Sequence, residues 1–122
     1  MNPTKPAPYI GRAMKRVEDP RLIQGIATWA DFFGRKVAEN IIRKHGHADF
    51  VFARNVLPHV EHVHDVVSGM GHCLSAEGTG AIEFHYAKCI VDGLHYDSIY
   101  HEHLFYFSIK SMVYLLEQHG LW

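Results

Sequence analysis

The sequence predicts an α/β domain: two parallel strands with flanking helices, the second half of a doubly wound sheet. Three observations carry that reading. Two short runs rich in Phe, Val and Ile, ADFVFARNV (48–56) and TGAIEFH (79–85), have strand length and are bounded by proline or glycine. Three longer stretches repeat apolar residues at three- and four-residue steps. The elements alternate as helix, strand, helix, strand, helix, the order in which crossover helices join parallel strands.

Taken in chain order, Met1 to Pro8 holds three prolines and reads as extended and poorly ordered. Gly11, Pro20 and Gly25 keep the pattern irregular up to Trp29. A first helix is expected from Asp31, its N-cap, with Phe33, Val37, Ala38, Ile41 and Ile42 on one face and Gly46 as its stop. The first strand follows over 48–56 and ends before Pro58. A second helix spans about 60–75 on the stripe Val60, Val63, Val67, Met70 and Leu74. Gly78 and Gly80 are expected to flank a turn into the second strand. A mixed segment leads to an aromatic run at 96–107, and a third helix covers about 109–119 with Gly120 as its stop. Two parallel strands do not form a stable sheet alone. The chain therefore reads as a portion of a larger domain, with self-association through its exposed sheet edges expected.

At 122 residues the chain has the size of one modest domain. Hydrophobic residues at 48% and charged ones at 20% argue against wholesale disorder. A formal charge of −1 does not call for nucleic acid or an anionic membrane as partner. No apolar run is long enough to span a bilayer, and no signal-peptide core follows Met1. Cys73 and Cys89 lack CxxC spacing, so a reducing cytoplasm is the expected compartment. The averages conceal a seam. Residues 1–44 carry nine Lys/Arg against four acids, a net of +5, whereas 45–122 carry three against nine, a net of −6, and hold all 11 histidines. Such asymmetry suggests an irregular segment over 1–31 and a partial α/β domain over 32–122.

The densest chemical constellation is YDSIYHEHLFYFS (96–108), with Tyr100, His101, Glu102 and His103 at its centre. Imidazole exchanges protons near neutrality, a carboxylate can fix its tautomer, and a phenol can donate to a developing oxyanion. That set suits proton abstraction next to a ketone; an aromatic loop with solvated polar tips is the alternative. A second cluster, His59-Val-Glu61-His62-Val-His64-Asp65, invites a metal, but His64 leaves the helical face shared by His59 and His62. HExxH is absent and no metal is expected. Asn55 after the first strand, and Glu83 and His85 at the end of the second, fall where parallel sheets present ligand-facing groups. No GxGxxG loop occurs.

From Phe32 onward the sequence resembles C-methyltransferases that act on nucleotide-activated keto-deoxysugars. The matching pieces are ADFVFARNVLPHV (48–60), HDVVSGMGHCLSAEG (64–78), IEFHY (82–86) and above all YDSIYHEHLFYFS (96–108). The resemblance implies a class I, Rossmann-like fold using S-adenosylmethionine, with a nucleotide sugar as substrate. It implies Asn55 and His59 beside the cofactor, and Glu83, His85 and His101 on the substrate side. It also implies that His103 abstracts the α-proton, Glu102 orients it and Tyr100 steadies the enolate. Phe105 stands where the family has a small polar residue, implying altered substrate fit. The family's zinc-binding region, glycine-rich loop and C-terminal domain are not in this sequence, so a fragment inactive alone is expected. Residues 8–29 resemble the opening of the molybdopterin-binding subunit of xanthine dehydrogenase-type hydroxylases (GRxxxRxEDPRLxxG), which makes an N-terminal fragment of a molybdenum oxidoreductase one alternative. A histidine-rich metal-binding module is the other.

Overall fold

Residues 29–122 are described by the computed structural model, and the chain divides into two units, Met1–Asp31 and Phe32–Trp122. The expected irregular lead-in over 1–28 lies outside the described residues. The elements are α1 (Arg35–His45), β1 (Ala48–Arg54), a 3-10 turn (Leu57–His59), α2 (Val63–Cys73), β2 (Leu74–Glu83), α3 (Ala87–Asp92), a second 3-10 turn (Tyr96–Ser98) and α4 (Ile109–Glu117).

β1 and β2 form a two-stranded parallel sheet, with α2 as the crossover between them, so the α/β fold read from the alternation is the one observed. The ladder pairs Val51 with Gly80, Ala53 with Ile82 and Arg54 with Glu83. Side chains alternate across a sheet, so Val51, Ala53 and Ile82 face one way. They pack with Leu57, Val63, Val66, Val67, Met70, Phe107, Met112 and Leu115 into one core. Leu57 and Val67 are wholly buried, each stabilising the fold by about 1.5–3 kcal/mol. Phe50 and Phe52 alternate to the opposite, exposed face.

Four local expectations change. The cap of α1 is Gly34, not Asp31, and Gly34 has no side chain to satisfy the first amides. Asp65, from the first turn of α2, does so instead: its Oδ1 accepts from the Arg35 amide at 3.1 Å. That contact requires close approach of the two helices. A Cβ on Gly34 would lie 2.7 Å from Asp65 Cγ, and one on Gly69 would lie 2.7 Å from the Gly34 carbonyl carbon. The second helix is shorter than its stripe, since Pro58 sits in a 3-10 turn and Val60 is extended. β2 starts directly after α2, so Gly78 and Gly80 lie inside the strand and not beside a turn. Ser75–Gly78 form an irregularity in the ladder between Ala48 and Phe50, where Ser75 Oγ donates to Asp49 Oδ1 at 3.0 Å. Within the mixed segment Ala87–Asp92 is helical, with Lys88 paired to Asp92 one turn on.

α4 follows its sequence signals closely. Ser108 Oγ accepts from the Ser111 amide at 3.1 Å while Ser111 Oγ accepts from the Ser108 amide at 2.9 Å, a reciprocal capping box. At its end the Leu121 amide bonds the Leu116 carbonyl and the Gly120 amide bonds that of Glu117, with Gly120 at φ 72°. These bonds form a Schellman closure, and the left-handed backbone suits glycine. The closure sets His119 against α2, its Nε2 lying 3.0 Å from Nδ1 of His64.

Replacing Gly69 with Ala should push α1 from α2 and destabilise the chain by about 1–3 kcal/mol in urea unfolding; an unchanged midpoint would remove the close-approach argument. Burial, and then the charge of His64, hold the His119 imidazole below its ordinary value of 6.5. The unfolded chain thus takes up this proton at higher pH than the folded one, so stability is full above 6.5 and declines as pH falls below it. Thermal midpoints measured from about pH 8 down to about pH 5 should drop less for His119→Gln than for the unaltered chain.

Candidate active site

Parallel pairing brings the carboxyl ends of β1 and β2 to one edge, and the candidate residues gather there. Asn55 ends β1 in the left-handed region at φ 49°, a conformation asparagine tolerates. Its amide donates to the Glu83 carbonyl at 2.9 Å, closing the ladder. The Leu57–His59 turn then carries His59 back, so that Asn55 Nδ2 lies 3.3 Å from His59 Nε2. His59 Nδ1 lies 3.0 Å from the Glu102 carbonyl. A carbonyl only accepts, so Nδ1 carries the ring proton and Nε2 accepts from the asparagine amide. This assignment fixes the orientation of Asn55 and leaves its Oδ1 buried with no partner.

The loop between Tyr96–Ser98 and α4 is fastened to that turn. The Leu104 and Phe105 amides converge on the Pro58 carbonyl at 2.7 and 3.3 Å, and the Phe107 carbonyl accepts from the Ala87 amide at 2.9 Å. Its centre is His103, at 6% exposure the buried polar residue of the core. Nδ1 donates to the Ser98 carbonyl at 2.8 Å, and by the same tautomer argument Nε2 accepts from the Tyr100 hydroxyl at 3.1 Å. The rings of Tyr100, His59, His85 and Tyr106 surround it at centroid distances of 4.2, 4.6, 5.4 and 5.9 Å. Tyr100 is 42% exposed, so the pair joins a part-exposed residue to a buried imidazole. A proton can move between Tyr100 Oη and His103 Nε2 along that bond without leaving the site.

Asn55, His59, His85, Tyr100 and His103 are therefore brought together. Three expected members are not. Glu102 reaches the cluster through its backbone carbonyl, and the partner of His103 Nδ1 is the Ser98 carbonyl, which replaces the expected Glu102 carboxylate. The physical reason is the turn closed by the His103 amide on the Tyr100 carbonyl, which leaves His101 and Glu102 exposed. Glu83 pairs with Arg54 across the ladder at 3.2 Å, both side chains being exposed. Phe105 stacks on Phe107 at 5.8 Å and packs against the core, so its size is used inside the fold. Ser98 and Tyr106 were not foreseen. The Tyr106 hydroxyl reaches the Ser98 and Tyr100 carbonyls at 3.5 Å, and only its place in the aromatic run hinted at a role. Among the described residues no group of three or more His, Cys, Asp or Glu is arranged to hold a metal, and none of the helices is long and apolar enough to cross a membrane.

Together these features define a partial Rossmann-like α/β domain with a hydrogen-bonded tyrosine–histidine pair at the carboxyl edge of its sheet. No family model matches the chain. Over 98 residues it is 34% identical to the C-methyltransferase NovU of Streptomyces niveus, a stretch covering 80% of this chain and 23% of that protein. The chain thus spans about a quarter of the length of the curated relative it matches. That similarity supports kinship with C-methyltransferases, and methyltransferases of this kind generally use S-adenosylmethionine. The hydroxylase resemblance of residues 8–29 finds no support in the comparisons, and nearly all of it lies outside the described residues.

Replacing His103 with Phe strands the Ser98 carbonyl and should cost about 1–3 kcal/mol of stability, whereas Glu102→Gln should stay within about 0.5 kcal/mol. Equal effects in parallel denaturation curves would contradict the assignment of Ser98 as the partner of His103.

Proposed function

We propose that this chain is part of a methyltransferase that places a methyl group on a carbon next to the ketone of a nucleotide-activated deoxysugar, with Tyr100 and His103 handling the proton. The observation that carries the reading is the hydrogen bond from the part-exposed Tyr100 to Nε2 of the buried His103. Similarity to a C-methyltransferase supplies the reaction class.

In this reading the roles implied by resemblance are exchanged, as the lower exposure of His103 suggests. Tyr100 is the group that can meet substrate, and His103 is its acceptor. As the C–H bond next to the ketone breaks, its proton passes to Tyr100 Oη, while the hydroxyl proton of Tyr100 passes to His103 Nε2. The electron pair of the broken bond delocalises onto the ketone oxygen as an enolate. The imidazolium so formed keeps its Nδ1–H bond to the Ser98 carbonyl, which holds the ring in place through the change of charge. The carbon of the enolate is then the nucleophile for carbon–carbon bond formation.

The residues present fit one part of a cofactor. Asn55 Oδ1 is a buried acceptor lacking a donor, and a bound amine or hydroxyl would satisfy it. Asn55 would thus hold a donor-bearing end of S-adenosylmethionine, with His59 fixing the amide. When bound, S-adenosylmethionine supplies an electrophilic methyl group.

Proton transfer can be tested apart from methyl transfer. A keto-deoxysugar nucleotide incubated with the chain in heavy water should exchange its α-proton, followed by NMR. Tyr100→Phe and His103→Asn should each slow that exchange by about 10²–10⁴-fold. Exchange at the uncatalysed rate despite measurable sugar-nucleotide binding would sink the proton-handling assignment. Calorimetric titration of S-adenosylmethionine, with Asn55→Ala alongside, tests the cofactor contact separately.

A further inference from the structure

A second pair of imidazoles meets where α2 starts and α4 ends. His64, in the first turn of α2, and His119, just past the end of α4, are 55 positions apart in the chain. His64 Nδ1 lies 3.0 Å from His119 Nε2, the ring centroids are 5.2 Å apart and the planes are tilted by 52°. Neither backbone depends on this contact. Val63, Val66 and Val67 anchor α2 in the core, and the bond from the Leu121 amide to the Leu116 carbonyl closes the chain around His119. The fold itself therefore presets the two nitrogens, which lowers the cost of binding anything between them.

We propose that His64 and His119 form a two-imidazole site for a divalent late transition metal that takes right-angle coordination, of the nickel(II) or copper(II) class, with water in the other positions. The separation selects the class. With metal–nitrogen bonds of about 2.0–2.1 Å, nitrogens 3.0 Å apart subtend about 95° at the ion. That angle suits octahedral or tetragonal centres, whereas a tetrahedral zinc wants its nitrogens about 3.3 Å apart. Imidazole is a ligand for all of these ions, so geometry discriminates and ligand type does not. Binding to two neutral rings releases no net proton: the ion takes the two facing lone pairs, and the proton between them passes through water to the far nitrogen of its own ring. Each ring tilts to turn its lone pair from its partner to the ion, and the exposure of His64 leaves room for that. Among the described residues no third His, Cys, Asp or Glu completes the set, so the site is an open chelate and not a closed cage. Joining α2 to the closure after α4, the ion favours the folded chain. The site shares no residue with the proposed reaction, and the inference does not rest on that reading.

Nickel(II) chloride is titrated calorimetrically into the full chain at about pH 7.5, where imidazole is mostly neutral. The expected result is a saturable site that His64→Gln and His119→Gln each weaken at least about tenfold, because either change destroys the chelate. His72→Gln, which alters the histidine pair with His47 at a centroid distance of 6.4 Å, should leave it unchanged. Zinc chloride should bind more weakly than nickel. In the unaltered chain, nickel should raise the thermal midpoint and broaden the ring resonances of His64 and His119 ahead of those of the other histidines, which reads the site with no substitution. Equal nickel affinity in the unaltered chain and both variants overturns the inference, and so does a loss confined to one of the two. Zinc binding as tightly as nickel, or first broadening at other histidines, overturns it as well.

Discussion

The parallel pairing of β1 with β2, closed by the Asn55 amide on the Glu83 carbonyl, is the constraint on which the rest of this structure depends. It sets both strand ends at one edge, so the turn after β1 and the loop after β2 open toward each other. It also fixes which side chains are buried. A slip of one residue would turn Phe50 and Phe52 into the core and expel Val51 and Ala53. On the buried side Val51, Ala53 and Ile82 pack with Val67 and Met70 of α2 and with Met112 and Leu115 of α4.

The site is held by backbone more than by side chains. The Pro58 carbonyl takes two amides from the 103–107 loop, the Glu102 carbonyl takes the proton of His59, and the Ser98 carbonyl takes that of His103. An imidazole buried without partners would cost several kcal/mol, on the order of a lost hydrogen bond at each nitrogen. Here each nitrogen of His59 and His103 has a partner, and the two rings share one tautomer because each meets a carbonyl at Nδ1. A carbonyl fixes the tautomer without adding a negative charge behind the ring. Tyr100, the more exposed of the two residues, is the group bonded to Nε2 of the buried His103.

The strands were legible because their residues form short β-branched or aromatic runs with punctuation on both sides, although β2 begins at Leu74, five residues before the expected start. α4 was legible because its stop is local, written in Gly120; its Ser108 cap is equally local but was not read from the sequence. The errors arise where a distant residue does the work of a local one. Asp65 caps α1 from thirty residues away, so the nearby Asp31 was a misleading signal. Gly78 permits close approach to the Ala48 carbonyl within a strand irregularity, which reads from sequence as a turn. At the site, the side chains Asn55, His59, Tyr100 and His103 were readable as residue types, but His59 and His103 are oriented at Nδ1 by carbonyls, and a carbonyl leaves no trace in a sequence. Glu102 looked like the orienting group because it is a carboxylate beside a histidine. Adjacency in a tight turn points neighbouring side chains in different directions, and the bond goes elsewhere.

Two features that lack a partner among the described residues lie on β1 or at its end. Asn55 Oδ1 is an acceptor without a donor, and the Phe50–Phe52 face is an apolar surface without a cover. The proton pair differs: Tyr100 and His103 lie in a loop fastened wholly within the described residues. The proposed proton transfer would draw only on that loop and the core beneath it, whereas the proposed cofactor contact at Asn55 depends on the end of β1. A sulfonium held out of line by an ångström can cost about a hundredfold in rate, so placement at that strand end is the more exacting of the two.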